Sequence, residues 1–168
     1  MDTSQWFRDQ FTASGDGFVW AVEQVPPERL FIPHPRFPEE WPVARHAFHM
    51  LHYEKCIALP FMRYWLGEPL PPDMEENYRA EQIDWEKGHT LESLLSQFRA
   101  VRAEQIILLE HISDSMWDEK RETIWGFVTI RWVVTKTYQH TAKHTHDVLS
   151  RVLFWDKDEW IATDKRRI

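Results

Sequence analysis

The sequence has one cysteine and no long apolar run, and both scarcities limit what the protein can be. Cys56 has no partner within the chain for a disulfide, which agrees with a reducing compartment. No apolar segment approaches the roughly 18 residues of a membrane-spanning helix, and the first residues, MDTSQWFRDQ, lack the basic and apolar regions of a signal peptide. We therefore expect a soluble, cytoplasmic protein with no membrane partner.

Basic residues are in the minority. The chain has 20 Lys and Arg against 27 Asp and Glu, for a formal net charge of −7. Its only basic cluster, Lys165–Arg167, is interpreted as a solvated tail. An acidic protein repels polyanions at long range, so we expect no nucleic-acid partner.

Several common catalytic motifs are also missing. The sequence contains no HExxH, no P-loop, no GxGxxG and no GxSxG. A di-iron bundle needs two Glu-x-x-His elements, and the one present, Glu86 to His89, includes Gly88. Cys56 follows His52 by one helical turn, but a lone helical cysteine is more often a small apolar residue than a nucleophile. No side chain of the sequence therefore stands out as a catalytic nucleophile.

What the sequence has is helical periodicity interrupted by prolines. At 168 residues it is interpreted as a single domain spanning 1–168. The proline-rich stretches 26–42 and 67–73 are predicted to be connections. Between and beyond them lie four blocks with helical spacing of apolar residues, at about 4–24, 42–66, 90–113 and 123–154. The predicted fold is an all-α four-helix bundle.

Local features refine these helices. The sequence SGDG at 14–17 is a weak point where the first helix is expected to bend, and Pro60 is expected to kink or end the second. Thr90 is the predicted N-cap of the third helix. The stretch FVTIRWVV is rich in β-branched residues, but its continuation into a long helical pattern favours helix.

The fourth block carries histidines on its apolar face. On a helical wheel, His140 and His144 lie among Ile130, Val133, Val134, Thr137, Thr141 and Val148, whereas His146 projects to the opposite side. Two interpretations of the pair stay open. Stacked neutral imidazoles suit a divalent metal, and buried core histidines satisfied by polar neighbours would follow the same pattern.

The second block has three further histidines, His46, His49 and His52, which lie near the edge of its apolar face. Periodicity does not determine which of them points into the bundle. At most one is expected to join the pair on the fourth helix.

The arrangement of these residues resembles the DinB/YfiT-like superfamily of metal-binding four-helix bundles. Trp41 and small residues lead into His49 on the second helix, and His140 and His144 form an H-x-x-x-H pair on the fourth. The surrounding frame is also similar, with AVEQVPPERL ending the first helix and TLESLLSQFRAVRAEQIILLEHIS as the third. The fold that this resemblance implies is the DinB-like bundle.

The resemblance also implies a site and an activity. Carried over by position, the metal ligands are His49, His140 and His144, with His46 or His52 as alternatives to His49, and the metal is a divalent ion, most often zinc or nickel. The implied chemistry is transfer of a low-molecular-weight thiol, such as bacillithiol or mycothiol, to a small electrophilic substrate. Metal-dependent hydrolysis and a non-catalytic metal-binding bundle that serves assembly or binding are the alternatives. The resemblance further implies a homodimer, which agrees with the ten tryptophans of the chain.

Overall fold

The computed structural model describes residues 2–72 and 90–156, and the helices of these ranges form the predicted bundle. They are α1 (Thr3–Glu23), α2 (Val43–Tyr53), α3 (Leu59–Trp65), α4 (Leu91–Glu110) and α5 (Ile130–Phe154). A π-helical turn, Glu54–Ala58, joins α2 to α3, so these two helices act as one of the four members of the bundle. The predicted four-helix fold is confirmed. The tail 165–167 and the segment Glu86 to His89 lie outside the described residues.

Capping side chains define the helix starts. The Asp2 carboxylate accepts a hydrogen bond from Ser4 N at 2.9 Å, and the Thr90 hydroxyl accepts one from Ser93 N at 3.1 Å. Both satisfy backbone N–H groups that have no partner within the helix. The prediction of Thr90 as an N-cap is confirmed. The weak point at 14–17 does not interrupt α1, which is helical through all four residues.

Pro60 produces the interruption in the second member of the bundle, in a form that periodicity did not predict. A proline inside an α-helix removes one hydrogen bond and clashes with the carbonyl four residues earlier. Here the chain widens into the turn Glu54–Ala58 just before Pro60 and then resumes as α3. A π-helical turn absorbs an extra residue without ending the helix.

The prediction that the last helix starts near residue 123 is wrong. Strands β1 (Lys120–Thr123) and β2 (Gly126–Thr129) form an antiparallel hairpin. Helix α5 begins only at Ile130, where the Thr129 hydroxyl caps the helix by accepting a hydrogen bond from Trp132 N. Gly126 has a φ of 84°, a conformation that favours glycine. The β-branched residues before Ile130 therefore form a strand, as their local preference indicates.

The interior holds two apolar clusters with a buried polar group between them. Phe98 belongs to one cluster and Phe11 to the other. The Arg102 guanidinium lies against both rings, 4.5 Å from the centroid of Phe11 and 5.4 Å from that of Phe98. It pairs with the fully buried Glu54 carboxylate and donates to the Thr141 hydroxyl at 2.8 Å. This polar group ties α4, the π-helical turn and α5 together.

No helix in the described ranges is long and apolar enough to cross a membrane.

Candidate metal centre

Two of the predicted site residues stand one above the other on α5. The Nε2 atoms of His140 and His144 are 3.1 Å apart. On the same face, Thr137, Thr141 and Val148 are fully buried, while His146 is exposed. The positions of all three α5 histidines agree with the helical wheel.

The third predicted residue comes from α2, which packs against α5. His49 Nε2 lies 3.1 Å from His140 Nε2. Each of His49, His140 and His144 offers a ring nitrogen, and the three nitrogens all lie within 4.8 Å of one another. The structure thus brings together the three residues that the resemblance implied.

Hydrogen bonding alone does not account for this convergence. A neutral imidazole has one N–H and one lone pair, and His140 Nε2 faces Nε2 atoms on two sides. That nitrogen has either one hydrogen or one lone pair, and neither can be well aligned with both neighbours. By contrast, nitrogens bound to one divalent ion at about 2.0–2.1 Å are roughly 2.8–3.4 Å apart, from octahedral to tetrahedral angles. The two 3.1 Å separations fit a metal ion.

Burial keeps these three side chains in the form that binds metals. Desolvation, reinforced by neighbouring positive groups, lowers the pKa of His49 to about 4 and that of His140 to about 3. Desolvation also lowers the pKa of His144 to about 4, with a further contribution from Lys143. All three imidazoles are therefore neutral near pH 7, with lone pairs available for a metal.

The other two histidines of α2 occupy different places. His46 is buried, and its Nδ1 lies 2.8 Å from Nδ1 of His144, on the opposite side of that ring from the three converging atoms. His52 is also buried and packs against Phe48. Among the described residues it belongs to neither group of potential metal ligands.

Aromatic rings enclose the cluster. The Trp41 ring lies 5.0 Å from that of His49 and is nearly parallel to that of His144 at 6.2 Å. On the other side, the Tyr53 ring is 4.3 Å from that of His140. These contacts restrict the rotation of the imidazoles.

A cavity of about 310 Å³ adjoins the cluster. Its walls include Trp41, His46 and His144, together with the charged residues Lys143, Asp147 and Arg151. Lys143 pairs with Asp147 at 2.7 Å, and Arg151 pairs with Glu40. The volume is at the lower end of the range for small-molecule sites.

Sequence reasoning missed the buried polar group of Glu54, Arg102 and Thr141. A signal for it exists in the apolar stripe of α4. Arg102 and Gln105 continue the alternating three- and four-residue spacing of Leu95, Phe98 and Leu109, and both are buried. A charged residue on such a stripe indicates a buried partner.

Comparisons with known proteins agree with this architecture. The model of the DinB superfamily matches residues 10–148. A crystal structure of the mycothiol-dependent maleylpyruvate isomerase superimposes with a TM-score of 0.69 and 14% identity, over 90% of this chain and 68% of that one. A histidine-to-alanine mutant of that isomerase gives the same TM-score and coverage at 13% identity. Identities this low show the fold alone. No curated protein matches the sequence.

Proposed function

The chain belongs to the DinB superfamily, and we propose that it is an enzyme that uses a divalent metal to transfer a low-molecular-weight thiol to a small electrophilic substrate. The metal would be held by His49, His140 and His144. The observation that carries the proposal is the convergence of three neutral ring nitrogens within 4.8 Å of one another, with Nε2 of His140 at 3.1 Å from Nε2 of both His49 and His144.

The donor set indicates what the bound ion would do. Zinc and nickel both accept imidazole ligands. An ion held by three neutral side chains keeps its full positive charge and lowers the pKa of a thiol or water that binds to it. The protein's own part is to hold the three lone pairs in place, with the rings of Trp41 and Tyr53 packed against the imidazoles.

The described residues place no cysteine at the cluster, so the reacting nucleophile is expected to come from outside the protein. Cys56 lies on the π-helical turn and is not among the groups that converge with the histidines in the described ranges. A structural neighbour is named as mycothiol-dependent, which supports an external thiol as the reacting partner.

The test is thiol consumption. Tag-free protein loaded with zinc or nickel would be assayed with mycothiol, bacillithiol and a simple thiol against a panel of electrophiles. We expect metal-dependent thiol loss for at least one pair, abolished in His140→Ala and retained in His146→Ala, a change at an exposed residue of the same helix. Ester or amide hydrolysis without thiol would instead support the hydrolase alternative. A protein that binds metal but is inactive in both assays would support the non-catalytic bundle.

A further inference from the structure

His46 is buried beside the candidate metal centre without being one of its three converging ligands. We propose that His46 is a positioning residue: it accepts a hydrogen bond from Nδ1–H of His144 and thereby keeps Nε2 of His144 as the lone pair that faces the metal. This inference rests on the proposed metal centre and deepens it.

The argument begins with the contact between the two rings. Their Nδ1 atoms are 2.8 Å apart, a short hydrogen-bond distance. Two lone pairs or two N–H groups would repel at that separation, so one Nδ1 must carry the hydrogen.

The other nitrogen of His144, which faces the metal centre, determines which of the two Nδ1 atoms carries the hydrogen. Nε2 of His144 points at Nε2 of His140, 3.1 Å away, and must offer a lone pair if it is to bind metal. A neutral imidazole has a single hydrogen. It therefore resides on Nδ1 of His144, and Nδ1 of His46 is the acceptor. His46 then carries its own hydrogen on Nε2, a buried atom with no acceptor among the described residues.

Asp147 is the competing acceptor, and distance excludes it. Its Oδ2 is 3.8 Å from Nδ1 of His144, too far for a hydrogen bond. The same carboxylate is held by Lys143 at 2.7 Å. The partner of a metal-binding histidine is commonly a carboxylate or a backbone carbonyl. In this protein a neutral imidazole takes that place.

The surroundings hold the pair in this geometry. His46 is only 5% exposed. The Trp41 ring packs 5.6 Å from that of His46 and lies nearly parallel to that of His144. One indole thus restricts the rotation of both imidazoles.

A second metal held by His46, His144 and Asp147 is the alternative use of these donors. A neutral imidazole has one lone pair, so His144 cannot bind a second ion through Nδ1 while its Nε2 binds the first. Stoichiometry distinguishes the two ideas.

The first experiment measures zinc affinity by chelator competition in wild type, His46→Leu, His46→Asn and Asp147→Asn. Loss of such a hydrogen-bond partner typically costs about 10–100-fold in metal affinity, which we expect for His46→Leu. His46→Asn keeps an acceptor near the position of Nδ1 and should restore most of the affinity. Asp147→Asn should weaken binding far less than His46→Leu. Circular dichroism and thermal unfolding of each metal-free variant verify that it is folded.

The second experiment reads the hydrogen bond directly. In the zinc-loaded, ¹⁵N-histidine-labelled wild type, we expect a nitrogen–nitrogen coupling across the bond between Nδ1 of His144 and Nδ1 of His46, with protonated Nδ1 in His144 and protonated Nε2 in His46. The coupling appears only if the two Nδ1 atoms share this hydrogen bond. The measurement needs no variant, so the hydrogen bond is tested even if His46→Leu does not fold.

Three outcomes would overturn the inference. Absence of zinc binding by the wild type removes the proposed metal centre and this inference with it. Normal zinc binding with no coupling, and no affinity loss in His46→Leu, removes the role of His46 alone. Two zinc ions per wild-type chain, falling to one in His46→Leu, would show a second metal site instead.

Discussion

At the scale of single residues, the candidate ligands and the adjacent His46 are neutral because they are buried. Burial, with contributions from nearby positive groups, lowers the pKa of both His46 and His140 from 6.5 to about 3. In the unfolded chain the same imidazoles titrate normally. The cluster therefore couples acidity to stability as well as to metal binding.

We predict that the metal-free protein loses stability as the pH falls below about 6.5. A histidine with a lowered pKa in the folded state binds its proton more weakly there than in the unfolded state. Its protonation therefore leaves stability unchanged above pH 6.5, and it increasingly favours the unfolded state as the pH falls from 6.5 towards the folded-state pKa values of about 3 to 4. Glu54 opposes this trend, because burial raises its pKa to about 7 although Arg102 lowers it. Urea unfolding between pH 7.5 and 4.5 measures the effect. Stability that rises steadily as the pH falls would contradict it.

A second residue-scale prediction concerns the buried ion pair. Arg102→Met leaves the fully buried Glu54 without its cation, and breaking a buried pair in this way costs about 3–5 kcal/mol. Arg99→Met is the matched control on the same helix, since its pair with Glu23 is exposed and such pairs contribute about 0–1 kcal/mol. Urea unfolding near pH 8 compares the two. Equal losses would show that the buried pair has no special role.

At the scale of elements, α1 carries two glycines in different surroundings. A Cβ at Gly15 would lie 3.1 Å from Cγ of Arg102, whereas one at Gly17 would meet nothing within 4 Å. Arg102 is confined by the rings of Phe11 and Phe98 and by Glu54, so it cannot easily move aside. Gly15 is therefore required by packing against α4.

The two glycines give a matched pair of variants. Gly17→Ala should stabilise the protein by up to about 1 kcal/mol through helix propensity. Gly15→Ala should destabilise it by about 1–3 kcal/mol, since overpacking exceeds the same gain in propensity. Chemical denaturation of both proteins provides the comparison. Similar stabilisation by the two substitutions would mean that the Arg102 side chain moves aside at little cost and would contradict the prediction.

Local sequence determines the elements better than the contacts between them. Periodicity predicted the helices, and Thr90 marked a start correctly, because both depend on neighbouring residues. The hairpin at 120–129 was missed because the helical pattern after Ile130 was extended too far back over β-branched residues. The π-helical turn before Pro60 depends on how the chain relieves a local clash. The sequence predicts that a proline interrupts the helix but not which form the interruption takes.

The candidate site likewise has features that follow from local sequence and features that depend on how the helices pack. The facing of His140 and His144 follows from their spacing on one helix, whereas His49 was implied by family resemblance alone. The place of His46 on the far side of His144 depends on how α2 is rotated against α5. That rotation is a tertiary property, so periodicity left His46, His49 and His52 unresolved.

At the scale of the whole molecule, we predict a homodimer. Several large apolar side chains are exposed, including Trp20 at 55% and Phe127 at 71%, and a self-complementary contact would cover such surface. Light scattering should give twice the 20.3 kDa mass of the chain. A mass of one chain at all workable concentrations would contradict the prediction.

The central claim is that His49, His140 and His144 hold one divalent metal, and metal content tests it most directly. Elemental analysis and zinc titration of tag-free protein should give one ion per chain in the wild type and in His146→Ala, whose imidazole is exposed on α5. His144→Ala and His49→Ala should lose the metal, together with the rise in unfolding temperature that a ligand of the native state provides. Retention of one tightly bound zinc by His144→Ala would contradict the account.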